Sequence, residues 1–327
     1  MTPETFGLIK LLRYDAYTTY DKICNELKID RKRTKDLLKY LSNLQYEIEE
    51  HPSLGVRIIS SPDLLLPEFV CSGLHTRLFG KKIHYYKKIG STNDVALKLS
   101  DEEGSLVITE FQSKGRGRFG RKWVSTESTA ILASLILNHK LKVEGLQKIT
   151  LLCALSINEV MRKVGLSSLI KWPNDIVVGG RKICGILTEA NSRCVVCGFG
   201  VNVNQSEFPS ELTDEATSIR IETQREHSRI IILQQILEQF ENNYFEFLQS
   251  GFHHFLEKIK DYSFSLGKRV SVHTGKKVLK GEVLDFDERG RLVLRKDGGG
   301  IRKIFATSMV SIQNQSIAQH SDRKGGN

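Results

Sequence analysis

The chain has 327 residues, 40% of them hydrophobic and 26% charged, with a formal net charge of +10. That length suits more than one domain and that apolar content suffices for packed cores, while no apolar run nears the ~18 residues of a bilayer span. Met1 to Lys10 is polar and lacks a secretory core, and the six cysteines (Cys24, Cys71, Cys153, Cys184, Cys194, Cys197) lie scattered in apolar runs, as small buried hydrophobes of a reducing cytoplasm and not a disulfide frame.

The positive charge is uneven. Residues 1–62 hold 10 basic and 9 acidic side chains, residues 63–265 hold 25 and 23, and residues 266–327 hold 13 and 6. The excess sits at the C-terminal end. A nucleic-acid role for the N-terminus must therefore rest on local pattern.

Phe6 to Arg13 predicts a short helix with Leu8, Leu11 and Leu12 inward. Thr18 or Thr19 can cap a second helix that runs to about Leu27, with Ile23 and Leu27 at helical spacing. After the turn Lys28-Ile29-Asp30, Asp30 is a natural cap for a third helix to about Leu44. Its Leu37, Leu38, Leu41 and Leu44 face inward, and Arg31, Lys32, Arg33, Lys35 and Lys39 face out. Residues 46–60 read as a two-stranded wing with Pro52 to Gly55 at its tip. Together these make a winged helix-turn-helix whose leading cations, Arg31, Lys32, Arg33 and Lys35, would meet DNA. A small helical module with a solvated charged face fits the same pattern. Glu47, Glu49 and Glu50 count against DNA, because three carboxylates beside a wing repel phosphate.

Residues 60–80 read as a linker, broken by Ser61-Pro62 and Pro67, with Leu64, Leu65, Leu66 and Phe69 packing on a neighbour. Ile83 to Tyr86 is a strand. Thr92 or Asn93 then caps a helix from Asp94 to Leu99, and Leu106 to Phe111 is a strand leading into Gln112. Ile131 to Leu137 is a strand, Leu146 to Val164 a buried helix, and Ile170 to Asn204 a set of strands with tight turns. The order lacks a regular βαβ alternation, so a largely antiparallel α+β domain is expected. Helices follow at Arg229 to Gln249, with Ile232, Ile236, Phe240 and Phe247 on the apolar side, and at Phe252 to Ile259. From Leu266 four or five short strands, with turns at Thr274-Gly275 and Glu288-Arg289-Gly290, suggest a small barrel. The last fifteen residues are polar and read as disordered. The domains are thus 1–62, 63–265 and 266–327.

One stretch stands out, Gln112 to Trp123. Gly115, Gly117 and Gly120 interleave with Lys114, Arg116, Arg118, Arg121 and Lys122. Glycine permits close backbone approach, and arginine matches phosphate and carboxylate oxygens. A loop closing on an anionic ligand is expected, with a flexible, solvated basic loop as the other reading. The literal G-x-G-x-x-G is no dinucleotide fingerprint, because a strand and not a helix follows, and no acidic residue lies between Ser128 and Val143. Lys171-Trp172-Pro173-Asn174-Asp175 places polar groups at a strand end. Arg181-Lys182 opens a strand in which Gly185 leaves room, and Lys182 can meet a carboxylate as a point charge. An ordinary hairpin lysine fits the local pattern equally. Cys194 and Cys197 have metal-pair spacing but no second pair to complete a site, and His253 and His254 face different ways. No metal site is expected.

Five stretches share order and spacing with one family. They are Ser91-Thr92-Asn93, Gly115 to Trp123, Lys171 to Asp175, Arg181 to Leu187, and Gly198-Phe199-Gly200-Val201-Asn202-Val203-Asn204. The chain resembles the biotin protein ligases, in particular the bifunctional kind that also represses the biotin operon. The resemblance implies a class II synthetase-like catalytic domain between the winged helix and a Src-homology-3-like barrel. It implies ATP and biotin as substrates, biotinyl adenylate and pyrophosphate as first products, and transfer to a lysine of a biotin carboxyl carrier domain. Magnesium would accompany ATP. An adenylate-bound homodimer would bind operator DNA, and no membrane partner is implied.

The resemblance also assigns residues. Lys182 would hold the biotin carboxylate, Arg118 the adenylate, and Asp175 would orient the incoming amine. Ser91, Thr92, Asn93, Gln112, Gly115, Arg116, Gly117 and Gly185 would complete the biotin side. Arg121, Trp123, Asn174 and Asn202 would border ATP. The pattern departs from the family at Thr126, Ser128 and Ala130, where proline, glycine and asparagine are common. Residues 207–229 match nothing in it. A lipoate ligase, a ligand-sensing transcription factor without turnover, and a ligase whose winged helix binds no DNA are the neighbouring readings.

Overall fold

Helix caps set the first elements. The computed structural model describes residues 2–13, 15–44, 46–60, 62–138, 145–274, 277–305 and 309–312. Helix α1 (Pro3–Leu11) begins earlier than the apolar pattern suggested, because Thr2 caps it, accepting from the Thr5 N–H, and Pro3 suits the first turn. Thr19 caps α2 (Tyr20–Leu27), and Lys28 closes it at φ 54 in the left-handed region. Asp30 caps α3 (Arg31–Asn43), accepting from the Arg33 N–H at 2.6 Å. Strands β1 (Glu47–His51) and β2 (Gly55–Ser60) form an antiparallel hairpin. Leu8, Leu12, Ile23, Leu37, Leu38, Leu41, Tyr46, Val56 and Ile58 make one core, while Leu11 and Leu44, expected inward, are half-buried.

These elements belong to a compact unit of Met1–His75 with Ser228–Gln234. The expected linker holds a helix, α4 (Pro67–Ser72), because Pro67 sits in the first turn where no N–H is needed. Cys71 on it is exposed, contrary to the expectation that every cysteine is buried. Arg229 is fully buried in this unit, and its Nε and backbone N–H reach Asp63 at 3.0 Å. A buried guanidinium without that carboxylate would be costly.

The second unit comprises Thr76–His227 and Gln235–Asn327. Its main sheet contains β3 (Ile83–Ile89), β4 (Leu106–Gln112), β5 (Ala130–Asn138), β6 (Ser168–Lys171), β7 (Asp175–Val178), β8 (Arg181–Ala190) and β9 (Cys194–Asn202). The order is β3-β4-β5-β9-β8-β7-β6, and only β3 and β4 pair in parallel. The antiparallel α+β expectation therefore holds. Strands β5 and β9 are buried along nearly their whole length, which is why they read as continuous apolar runs.

Helix α5 (Thr92–Lys98) starts two residues earlier than predicted. Ser91 takes the cap position, and the Thr92 and Asn93 side chains are freed for the site. Helix α6 (Leu146–Lys163) is buried from Ile149 to Met161 with few exceptions. Short α7 (Ile219–Thr223) is capped by Ser218. In the second unit α8 (Arg229–Ser250) buries Ile236, Leu237, Phe240 and Tyr244, and Glu241 accepts from the N–H groups of Arg77, Leu78 and Phe79. Helix α9 (His253–Asp261) follows.

The C-terminal strands are β10 (Arg269–Thr274), β11 (Lys277–Phe286), β12 (Leu292–Lys296), β13 (Ile301–Ile304) and β14 (Met309–Ile312), all antiparallel in the order β13-β12-β11-β10-β14. No pairing of β13 with β14 closes this sheet into a barrel among the described residues. The turn at Glu288 to Gly290 is present, fixed by Asp287 accepting from the Arg289 and Arg291 N–H groups at 3.0 Å. Gly275 of the other expected turn, and the last fifteen residues, lie outside the described residues. No helix is long and apolar enough to cross a membrane among the described residues.

Asp30→Ala should cost about 1 kcal/mol of local stability by removing the α3 cap. Hydrogen exchange at the Arg33 and Thr34 amides should then speed about fivefold. Unchanged exchange would show that the cap does not hold the helix.

Candidate active site

Glycine shapes the floor of a cleft of about 1060 Å³ in the second unit. Gly185 of β8 and Gly200 of β9 are cross-strand partners. The Trp123 indole lies on both. A methyl at Gly200 would stand 2.6 Å from its ring, and one at Gly185 3.0 Å. Any larger residue there would displace the ring. At Gly198 a methyl would overlap the Asn93 Oδ1.

The loop before Trp123 is a small hairpin. Gly117 N–H donates to the Arg121 carbonyl at 2.7 Å, Trp123 N–H donates to Gly115 at 3.0 Å, and Arg116 bridges Lys122. A short 3-10 turn at Arg118–Gly120 closes it, with Phe119 at φ 56 and Gly120 at φ 72. These backbone hydrogen bonds give the loop a defined shape. Ser128 on the exit takes φ 58. That conformation is one that favours glycine.

A polar network lines one side. Gln112 Oε1 accepts from Thr92 N–H at 2.7 Å and Thr92 Oγ1 at 3.0 Å. Ser134 Oγ lies 2.7 Å from Thr92 Oγ1 and 2.6 Å from Asn93 Oδ1. Asn93 donates to Glu189 at 2.6 Å and to the Leu187 carbonyl at 3.1 Å. Ser91, Thr92 and Asn93 are buried. Arg116 lines the cleft but is held by Asp94 at 2.7 Å and Glu189 at 2.9 Å. Burial opposes its charge, yet the two carboxylates outweigh burial and keep its pKa above the ordinary value. Ser134 and Glu189 were not legible as site residues, because each sits alone in an apolar strand.

Cations and carboxylate meet on the other side. Lys182 Nζ is 2.7 Å from Asp175 Oδ1 and 5.7 Å from the Trp123 ring centroid. Arg118 donates to Asn174 Oδ1 at 3.0 Å and stacks on Phe119 at 4.8 Å. Burial lowers its pKa, and the Asp175 charge partly restores it. Asn174 is itself fixed by a bond from its Nδ2 to the Ile186 carbonyl at 2.9 Å. Arg121 is an exposed residue of the cleft lining.

Residues beyond Glu207, unplaced by sequence, supply one wall through Phe208, Leu212, Asp214, Glu215 and Ala216. Ala216 bridges Lys182: the Lys182 N–H donates to Glu215 at 2.7 Å, and Thr217 N–H returns to Lys182 at 2.9 Å. Asn202 is 3% exposed and donates to the Thr217 carbonyl at 3.0 Å. Its Oδ1 and the Trp123 Nε1 are buried without a hydrogen-bond partner in the protein. Buried polar atoms without partners are costly, so a polar ligand is the natural completion of this wall.

Among the described residues no three His, Cys, Asp or Glu side chains converge on a metal position, and Cys194 and Cys197 are simply buried in β9. Burial pushes the Cys153 and Cys184 thiols up, which makes them inert. In the first unit Arg31, Lys32, Arg33 and Lys35 are all exposed at the start of α3. Arg31 stacks on Tyr20 at 4.8 Å and Arg33 pairs with Glu4 at 2.6 Å. Of the wing carboxylates, Glu49 pairs with Arg57 at 2.5 Å, and Glu50 accepts from the Tyr20 hydroxyl at 2.6 Å.

Residues 85–202 match the biotin/lipoate A/B protein ligase family, and residues 265–312 match the biotin protein ligase C-terminal domain. A bifunctional ligase/repressor BirA from Bacillus subtilis is 32% identical over 306 residues, covering 90% of this chain and 94% of that protein. A biotin–[acetyl-CoA-carboxylase] ligase from Mycobacterium tuberculosis is 29% identical, covering 73% and 93%. A solved biotin protein ligase from Aquifex aeolicus, in complex with biotin and ATP, is 29% identical with a TM-score of 0.65 and covers 71% of this chain and all of that one.

Gly198→Ala should destabilise the second unit by about 1–3 kcal/mol, since Asn93 is held by its own hydrogen bonds and cannot yield. A thermal melt should fall by several degrees. An unchanged melt would mean that Asn93 has room the geometry denies it.

Proposed function

This chain belongs to the biotin protein ligase family, and on that premise we propose that it joins biotin to ATP and passes the biotinyl group to a lysine of a biotin carboxyl carrier domain. The observation that carries the reading is the Lys182–Asp175 pair beside an indole on a two-glycine floor, with buried Asn202 Oδ1 and Trp123 Nε1 awaiting partners.

The first step joins two anions. The biotin carboxylate attacks the α-phosphorus of ATP, a P–O bond forms, and pyrophosphate leaves with the electrons of the broken P–O bond. Positive charge placed beforehand lowers that barrier. Lys182 exchanges Asp175 for the biotin carboxylate, and Arg118 holds the adenylate phosphate. Ser91, Thr92, Asn93 and Gln112 meet the ureido end, with Gly115, Gly117 and Gly185 allowing close approach and Arg116 holding Glu189 and Asp94 in place. Trp123, Asn174, Asn202 and Arg121 border the nucleotide. Magnesium would be carried by the ATP phosphates. In the second step the carrier lysine amine loses its proton toward Asp175 and attacks the acyl carbon, and AMP departs.

The reading divides the chain into a winged helix-turn-helix at 1–62, a catalytic domain at 63–265 and a barrel-like module at 266–327. It includes a repressor role in which the adenylate-bound chain forms a homodimer and binds operator DNA. Arg31, Lys32, Arg33 and Lys35, exposed at the leading end of α3, support that role. So does the engagement of two wing carboxylates by Arg57 and Tyr20, which softens their repulsion of phosphate.

Incubation with ATP, labelled biotin and a carrier domain should label the carrier. Lys182→Ala should slow adenylate formation by about 10²–10³-fold, and Arg118→Gly should release adenylate into solution. Normal formation and retention in both variants would overturn the assignment. In gel shifts, Arg31→Ala with Arg33→Ala should weaken binding and flatten its salt dependence by about two ions. Equal binding by the double variant would remove α3 as the DNA reader.

A further inference from the structure

Two adjacent glutamates of the wing are each met by a tyrosine. Glu49 and Glu50 are consecutive in β1, so their side chains leave opposite faces of the hairpin. Between α1 and α2, Thr18 bridges Val56 of β2, donating at 2.8 Å and accepting at 2.9 Å. That bridge brings Tyr17 and Tyr20 to the wing.

The two tyrosines sit in matched settings with different outcomes. On one side Arg57 lies over the Tyr17 ring at 4.8 Å and also pairs with Glu49 at 2.5 Å. Its charge is neutralised within the wing. On the other side Arg31 lies over the Tyr20 ring, again at 4.8 Å, while the Tyr20 hydroxyl donates to Glu50 Oε2 at 2.6 Å. Here the carboxylate holds the ring and not the guanidinium.

Tyr20 is fixed at both ends. Its ring packs on the core of the first unit. Burial first, and then Glu50, push its pKa up to about 12, so the hydroxyl stays a donor at neutral pH. A guanidinium that stacks by its face keeps the donors on its edge. Arg31 is exposed and, among the described residues, has no carboxylate within ion-pair distance. Arg33, two residues on, donates to Glu4 through Nε at 2.9 Å and Nη2 at 2.6 Å, and must leave that carboxylate to meet DNA.

We propose that Tyr20 is a positioning residue for DNA binding: anchored by Glu50, its ring presents the edge of the Arg31 guanidinium to a backbone phosphate. This rests on the repressor reading. It makes Glu50, which by charge alone would repel DNA, part of the DNA-binding face. A phosphate contact carries no sequence information, so mixed-sequence duplex DNA reports it.

The test measures binding of mixed-sequence duplex DNA by the full chain, with biotin and ATP present, at several salt concentrations. Tyr20→Leu should weaken binding about fivefold, the loss expected for one cation–π contact. It should also flatten the salt dependence by about one ion. Tyr20→Phe keeps the ring and should lose less. Arg31→Ala should cost at least about threefold less in the Tyr20→Leu background than in the unmodified chain. Glu50→Gln and Glu50→Ala remove the same charge, but only glutamine keeps an acceptor for the hydroxyl. Glu50→Gln should therefore bind about threefold more tightly than Glu50→Ala. Unchanged binding by Tyr20→Leu, additive losses in the Tyr20 and Arg31 cycle, or equal binding by the two Glu50 variants would each overturn the proposal and leave the repressor reading standing. No binding by the unmodified chain at any salt concentration would overturn both.

Discussion

The proposed chemistry depends on one ion pair, Lys182 with Asp175 at 2.7 Å, held beside the Trp123 ring. The contact places both groups on the cleft lining. In the proposed mechanism a substrate carboxylate that takes Lys182 frees Asp175 as a proton acceptor once an acyl group has been activated. That proposal orders the two half-reactions by a single exchange of partners.

The surrounding fold serves that pair. Val177 and Lys182 are cross-strand partners next to an irregularity in the β7–β8 ladder, which turns the lysine toward Asp175. Gly185 and Gly200 leave space for the indole. Lys182's own backbone is clamped by Glu215 and Thr217, so the wall that meets Asn202 also positions the lysine. The turn between β6 and β7 is anchored by the C-terminal sheet. The Trp172 indole donates to the Gly290 carbonyl at 2.9 Å, and its backbone N–H reaches Ser265 at 3.2 Å. Asn174 and Asp175, immediately after Trp172 and Pro173, are thus held from outside the catalytic sheet.

Much of this was legible in sequence because local chemistry leaves local marks. Asp30 and Thr19 announced their helices as caps, and the apolar runs of β5 and β9 announced buried strands. The glycine-basic loop was visible because glycine and arginine at that density serve no core, whereas Lys182 took its role from the family resemblance. What stayed hidden depends on tertiary partners. Nothing near Ser134 or Glu189 marks them as neighbours of Asn93. Thr2 and Pro3 start α1 ahead of its apolar pattern, and α4 lay concealed behind a proline that its first turn tolerates. The wall formed by residues 208–216 acquires meaning only from its bridge to Lys182.

The exchange of partners at Lys182 is tested most directly by separating the half-reactions in Asp175→Asn. Single-turnover measurements should show biotinyl adenylate forming within about tenfold of the unmodified rate, while transfer from that adenylate to a carrier lysine slows about 100-fold or more. The reverse pattern, with adenylate formation lost and transfer from supplied adenylate intact, would contradict the account.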